Sequence, residues 1–302
     1  MTKCKLVLIV IFGFTVFVSC NSSKTEKEKV LTVTIEPQKY FLESLVGNHF
    51  KVECLVASGA NPESADFTPS QMMNLDKSVA YFKIGYLGIE SALIKKVSES
   101  NAELKVVDCS NGIKSVGEGH VHCDDAEHDH NHDGEHIYGH AGGDPHTWSS
   151  VKSAKIIVDN MYKAIVEIDK ENEADYTSNY NKLITKISAT DSIIKSYLDK
   201  APSKSFIIYH PALSYFADEY GLTQYSIEYE GKNPSPSQLR ELINKAKEEH
   251  VKVVFIQQEF DTKNAETVAD AIAGKTVPLN LLSYDWNGEM IKIAKAMALE
   301  DI

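Results

Sequence analysis

Cysteine is scarce in this chain, and positive charge is in short supply. Five cysteines (Cys4, Cys20, Cys54, Cys109 and Cys123) are spread over 302 residues with no CxxC pair among them. That spacing implies no disulfide framework. At most one disulfide joins Cys54, Cys109 and Cys123, the three that remain when the N-terminal pair is set aside. Lys and Arg number 31 against 43 Asp and Glu, so the net charge is 31 − 43 = −12. An acidic surface argues against nucleic acid, whose phosphates need Lys and Arg, and is compatible with a divalent cation as ligand. There is no H-E-x-x-H, and no residue is an obvious general base beside an open coordination position. A zinc-dependent enzyme is thereby disfavoured, although Glu63 is the residue that would serve as its base. A membrane-spanning run is missing too. The apolar stretch Leu6 to Val18 is about the length of a signal h-region and too short to span a bilayer as a fixed helix.

That stretch follows Lys3 and Lys5 and ends Phe17-Val18-Ser19-Cys20. A small residue before cysteine resembles a bacterial lipoprotein cleavage box. The expectation is a signal peptide over 1–19, a lipid on Cys20, and a polar tether over 20–29. The mature chain would then sit in the cell envelope, anchored to a membrane and facing the periplasm or the exterior. Losing two lysines takes its charge to 29 − 43 = −14.

What is abundant is histidine, in one place. Eight of the eleven histidines lie between Gly119 and Trp148, interleaved with Asp and Glu. No packed core tolerates such a run, because each imidazole and carboxylate needs water, a partner or an ion. A His-rich tract reads as metal binding, and imidazole with carboxylate suits zinc. The loop 119–140 carries His120, His122, His128, His130, His132, His136 and His140 as accessory ligands. Cys123 lies inside it, either as a further thiolate or as a plain loop residue. The end of the stretch differs in kind: Asp144-Pro145-His146-Thr147-Trp148 is a stiff turn entering a helix, and it presents one histidine on a rigid element.

From Val30 onward β-branched strands alternate with helical spacing. Strands are expected at Val30–Ile35, Phe50–Val56, Val79–Ile84 and Lys105–Asp108, with Pro37 ending the first. After Trp148 come two long amphipathic helices, Ser150–Ile168 and Glu173–Leu198. The strand–helix alternation then resumes with Ser205–Tyr209. The fold class this predicts is α/β: two lobes, each a mostly parallel sheet flanked by helices, joined by a long rigid helix. The N-terminal lobe takes 30–149, the linking helices 150–200 and the C-terminal lobe 201–302.

In open α/β sheets ligands bind beyond the carboxyl ends of the strands. Four groups fall there: Asn61-Pro62-Glu63, Asp144-Pro145-His146, His210, and the stretch from Asn280 to Asp285. Two imidazoles with one or two carboxylates make a divalent-metal site. These positions also resemble the substrate-binding proteins of zinc and manganese ABC importers. The resemblance rests on G-A-N-P-E-S-A-D-F-T-P-S-Q at Gly59–Gln71, on D-P-H-T-W at Asp144–Trp148, on the segment Ile207–Leu222 and on N-P-S-P-S-Q-L at Asn233–Leu239. It covers nearly all of the mature chain, and the family carries a His- and Asp-rich loop before its D-P-H motif, chiefly in zinc members.

The resemblance implies two lobes with the ion held between them, a permease as partner, a monomer, and no catalysis. His146 and His210 take the family's second and third ligand positions, and Glu63 stands where the family has its first histidine. The fourth position falls at Asn280, with Asp285 close by in sequence as the substitute carboxylate. The cargo is then Zn²⁺, with Mn²⁺ or Fe²⁺ as the alternatives that the harder Glu63 oxygen leaves open. A surface metal store, in which the His-rich loop is the working part, is a further alternative.

Overall fold

The computed structural model describes residues 29–57, 59–116, 143–229, 231–260 and 262–301. The signal segment, Cys20, nearly all of the tether, Cys123 and the seven loop histidines from His120 to His140 lie outside the described residues.

The chain builds the same four-stranded parallel sheet twice. In the first lobe β1 (Val30–Val33), β2 (Lys51–Cys54), β3 (Ala80–Lys83) and β4 (Lys105–Asp108) are ordered β2-β1-β3-β4. In the second, β5 (Ser205–Ile208), β6 (Thr223–Ser226), β7 (Val253–Gln257) and β8 (Lys275–Leu279) are ordered β6-β5-β7-β8. Both sheets reverse direction of build beside their first strand, and a crevice opens at the carboxyl ends there. The flanking helices are α1 (Glu36–Val46), α2 (Pro69–Asp76) and α3 (Gly88–Ser100) in lobe one. Lobe two carries α6 (Ser214–Tyr220), α7 (Pro236–Glu248), α8 (Lys263–Ala271) and α9 (Trp286–Met297). Pro37 does not merely stop a strand. It sits in the first turn of α1, where its missing N–H has no intrahelical partner to lose.

The lobes also share a device for starting helices. Thr68-Pro69-Ser70-Gln71 opens α2 and Ser235-Pro236-Ser237-Gln238 opens α7. In each, the hydroxyl accepts from the glutamine backbone N–H, and the glutamine side chain accepts from the cap's own N–H, at 2.7 Å and 2.8 Å respectively. Such a box contributes about 1 kcal/mol.

Between the sheets run α4 (Val151–Ile168) and α5 (Glu173–Leu198). α4 buries Val151, Ala154, Ile157, Val158, Met161 and Ile165 along one face, at helical spacing. α5 spans about 40 Å at 1.5 Å per residue and packs on α1 of lobe one, on α9 of lobe two and on α4. The linking helices are therefore more than a strut. A single apolar cluster runs from Leu31 and Phe41 through Ile157, Met161 and Ile187 to Phe255 and Met297. Both tryptophans of the chain are buried at this junction. Trp148 Nε1 donates to Leu281 O at 2.8 Å, and Trp286 Nε1 donates to Trp148 O at 2.7 Å. Cys54 and Cys109 are free thiols; they sit on or just beyond β2 and β4, at opposite edges of the first sheet, so no disulfide joins them.

Candidate metal site

Three loops at the carboxyl ends of strands bring Glu63, His146 and His210 together. One donor atom of each lies within 4.8 Å of the others, and among the described residues this is the one such group of His, Cys, Asp or Glu.

Glu63 is carried by the loop between β2 and α2. Asn61 Oδ1 accepts from Glu63 N at 2.8 Å, which closes an Asx turn. Gln71 Nε2 donates to Leu55 O at 2.5 Å, so the glutamine that caps α2 also ties down the start of the loop. His146 follows Gly143, whose φ of 121° is open only to glycine, and a Cβ there would lie 2.2 Å from Ser115 Oγ. Asp144 Oδ1 accepts from His146 N at 2.9 Å and lies 2.8 Å from His146 Nδ1, fixing backbone and ring with one oxygen. Tyr215 OH donates to Asp144 O at 2.8 Å and ties this turn to lobe two. His210 lies two residues past β5. The Gln257 side chain brackets it, accepting from His210 N at 3.3 Å and donating to His210 O at 2.5 Å. The Phe260 ring stacks on its imidazole at 5.2 Å with planes 17° apart.

Both imidazoles are arranged alike. Each points Nδ1 at a carboxylate: Asp144 for His146, and Glu228 for His210 at 3.1 and 3.3 Å. An Nδ1–H donating there leaves Nε2 as the free donor atom. The two Nε2 atoms converge on Glu63 Oε1, at 3.4 Å from His146 and 3.3 Å from His210. His210 Nε2 is buried and makes no hydrogen bond. Nitrogen and oxygen donors about 2.1 Å from a tetrahedral ion lie about 3.4 Å apart along the edge, and the two Nε2–Oε1 separations match that edge.

The electrostatics agree. Glu63, Asp144 and Glu228 bring a charge of −3 to two imidazoles; with a divalent ion the sum is −3 + 2 = −1. Burial alone would lower the His210 pKa, but the Glu228 and Glu63 carboxylates outweigh it and raise it to about 10. Burial pushes the Asp144 carboxyl up, yet the His146 imidazole beside it holds it below the ordinary value. Without an ion, His210 therefore keeps a proton at neutral pH. The half-buried Glu259, next to Phe260, has its carboxyl pushed up by burial and pulled back by His210.

Two sequence-level candidates stand elsewhere. Asp285 is not in the cluster: it is exposed and caps α9, its Oδ1 accepting from Gly288 N at 3.1 Å. A carboxylate at a helix N-terminus is satisfied by the free N–H groups there. Asn280 turns its Oδ1 to Leu282 N at 3.2 Å, another Asx turn. Glu228, Glu259, Gln257 and Phe260 were not singled out by sequence. The accessory histidines and Cys20 lie outside the described residues.

Fold and site together define a two-lobed α/β protein with a cluster of one carboxylate and two imidazoles where the lobes meet. The family model described as "Zinc-uptake complex component A periplasmic" matches residues 31–297, and the chain belongs to that family. It is 34% identical over 263 residues to the high-affinity zinc uptake system protein ZnuA of Bacillus subtilis, covering 86% of this chain and 80% of that one. It is 27% identical to the zinc-binding protein AdcA of Streptococcus pyogenes over 85% of this chain, but spans only 50% of AdcA's length. A crystal structure of ZnuA superposes with a TM-score of 0.78 at 30% identity, covering 90% of this chain and 99% of that one. The family is one of metal-binding transport components, not enzymes, and among the described residues no helix is long and apolar enough to cross a membrane.

Proposed function

We propose that this protein captures Zn²⁺ outside the cytoplasmic membrane, holds it between its lobes with Glu63, His146 and His210, and delivers it to the permease of an ABC importer. The observation that supports the reading is the pair of Nε2–Oε1 separations of 3.3 and 3.4 Å, close to the edge expected between two ligands of a tetrahedral zinc ion. Two imidazoles favour zinc over the harder manganese and iron, and the zinc-binding relatives point the same way. The Glu63 oxygen supports a second reading in which Mn²⁺ or Fe²⁺ is also taken. Titration of the purified mature protein with Zn²⁺, Mn²⁺ and Fe²⁺ separates the two. One tight site that prefers zinc is expected; a preference for manganese would sink the zinc assignment, and many weak sites would favour a metal store. Attachment through a lipid on Cys20 belongs to the same reading. Cys20→Ala should release the protein from the membrane fraction, and unchanged retention would refute the anchor.

A further inference from the structure

Glu228 belongs to no motif of the chain, yet the second sheet delivers it to the cluster by register alone. β6 runs parallel to β5 with Ile208 opposite Ser226. The pairing continues past the strand ends, with Ile227 N donating to Ile208 O at 2.9 Å and Glu228 N to Tyr209 O at 3.0 Å. Two residues beyond Ile208 is His210, and two beyond Ser226 is Glu228, so the parallel ladder sets them side by side. Both Glu228 oxygens then face His210 Nδ1, at 3.1 and 3.3 Å. Gln257 fixes the His210 backbone on both sides, and Phe260 covers one face of its ring.

We propose that Glu228 is a positioning residue for metal capture: it holds the proton of His210 on Nδ1 and thereby presents the Nε2 lone pair to the ion beside Glu63. This rests on the reading of Glu63, His146 and His210 as the metal site. Glu228 is not itself a ligand. It addresses the ring nitrogen on the far side from Glu63 and falls outside the group of donor atoms that converge. Its negative charge also makes the imidazole a stronger donor, as a carboxylate behind a zinc-bound histidine does. Lobe two thus repeats on a separate strand what Asp144 does within one turn for His146 in lobe one.

The test compares the unsubstituted protein with Glu228→Ala and Glu228→Gln. Zn²⁺ affinity is read by competition with a chromophoric chelator, folding by circular dichroism, and the His210 Hδ1 proton by NMR of the zinc-loaded protein. The unsubstituted protein should bind one Zn²⁺ and show a low-field, slowly exchanging Hδ1 signal. Glu228→Ala should bind about 10–100-fold more weakly and lose that signal while keeping its secondary structure. Glu228→Gln, whose amide oxygen still accepts from Nδ1–H, should recover affinity to within about tenfold of the original. Equal affinity in all three proteins overturns the proposal and leaves the metal site standing. A His210 carrying no Nδ1 proton in the zinc-loaded, unsubstituted protein overturns it without recourse to a variant. No stoichiometric zinc binding by the unsubstituted protein overturns the metal site, and this inference with it.

Discussion

Replacing Glu63 tests the site most directly, because two opposing effects leave a mark that a surface residue could not. Glu63→Ala removes the one anionic oxygen on which both Nε2 atoms converge. Truncating one partner of a buried charged contact costs about 2–5 kcal/mol, or some 30-fold to several thousand-fold in affinity. The same carboxylate also helps hold a proton on His210, whose pKa is about 10. At pH 7.4 that proton must leave before an ion enters, which costs about 3–4 kcal/mol at 1.36 kcal/mol per unit. Without Glu63 part of this cost disappears. The net loss in Glu63→Ala should therefore be modest near pH 7 and grow toward pH 10, where the original protein no longer competes with a proton. Glu63→His should retain zinc through a third imidazole while binding manganese less well. Chelator competition with Zn²⁺ and Mn²⁺ at pH 7 and pH 9.5 reads all of this. Affinities of Glu63→Ala equal to the original at both pH values would remove Glu63 from the site.

The pH dependence has a definite sign. A histidine pKa raised to about 10 in the metal-free fold stabilises that fold fully below about 6.5, and this contribution is lost as pH rises through 10. Metal affinity runs the other way, rising about tenfold per pH unit below 10, with about one proton released per ion near pH 7.4. Calorimetry in buffers of different ionisation enthalpy counts that proton, and a count of zero contradicts the arrangement at His210. Asp285→Ala should cost about 0.5–2 kcal/mol of stability through the α9 cap and leave zinc affinity unchanged. A large affinity loss would return Asp285 to the ligand set. Deleting 119–140 should leave one tight zinc site, since ordering a loop around an ion costs chain entropy; loss of the tight site would move the principal ligands into the loop.

The three converging residues were legible because each lies in a short motif: Asn61-Pro62-Glu63 in the loop after β2, Asp144-Pro145-His146 in the turn that enters the linking helices, and Tyr209-His210-Pro211 just past β5. Glu228 was not, because its bond to His210 is written in the pairing of β6 with β5, which no local pattern encodes. Asp285 stands apart from the cluster for the opposite reason. Its neighbourhood suggested a fourth ligand, yet an Asp directly ahead of a run such as Trp286 to Met297 is also a helix start, and that local role prevailed. The two-lobe α/β pattern followed from the strand–helix alternation. Lys105–Asp108 keeps its expected ends, while other strands are one or two residues shorter at an end, as at Phe50–Val56 against β2, because chain continuing past a ladder still carries apolar, strand-forming residues.

The buried junction around Trp148 and Trp286 limits how this protein can work. Burying two indoles removes about 150–250 Å² of surface each, or about 4–6 kcal/mol apiece, and each indole N–H is tied to backbone across the junction. A clamshell that opened to admit its cargo would tear both bonds and wet the apolar cluster that runs through α4 and α5. The two lobes are therefore held in one relative arrangement, and the freedom that is left lies in the loops bearing Glu63, His146 and His210, at the mouth rather than the hinge.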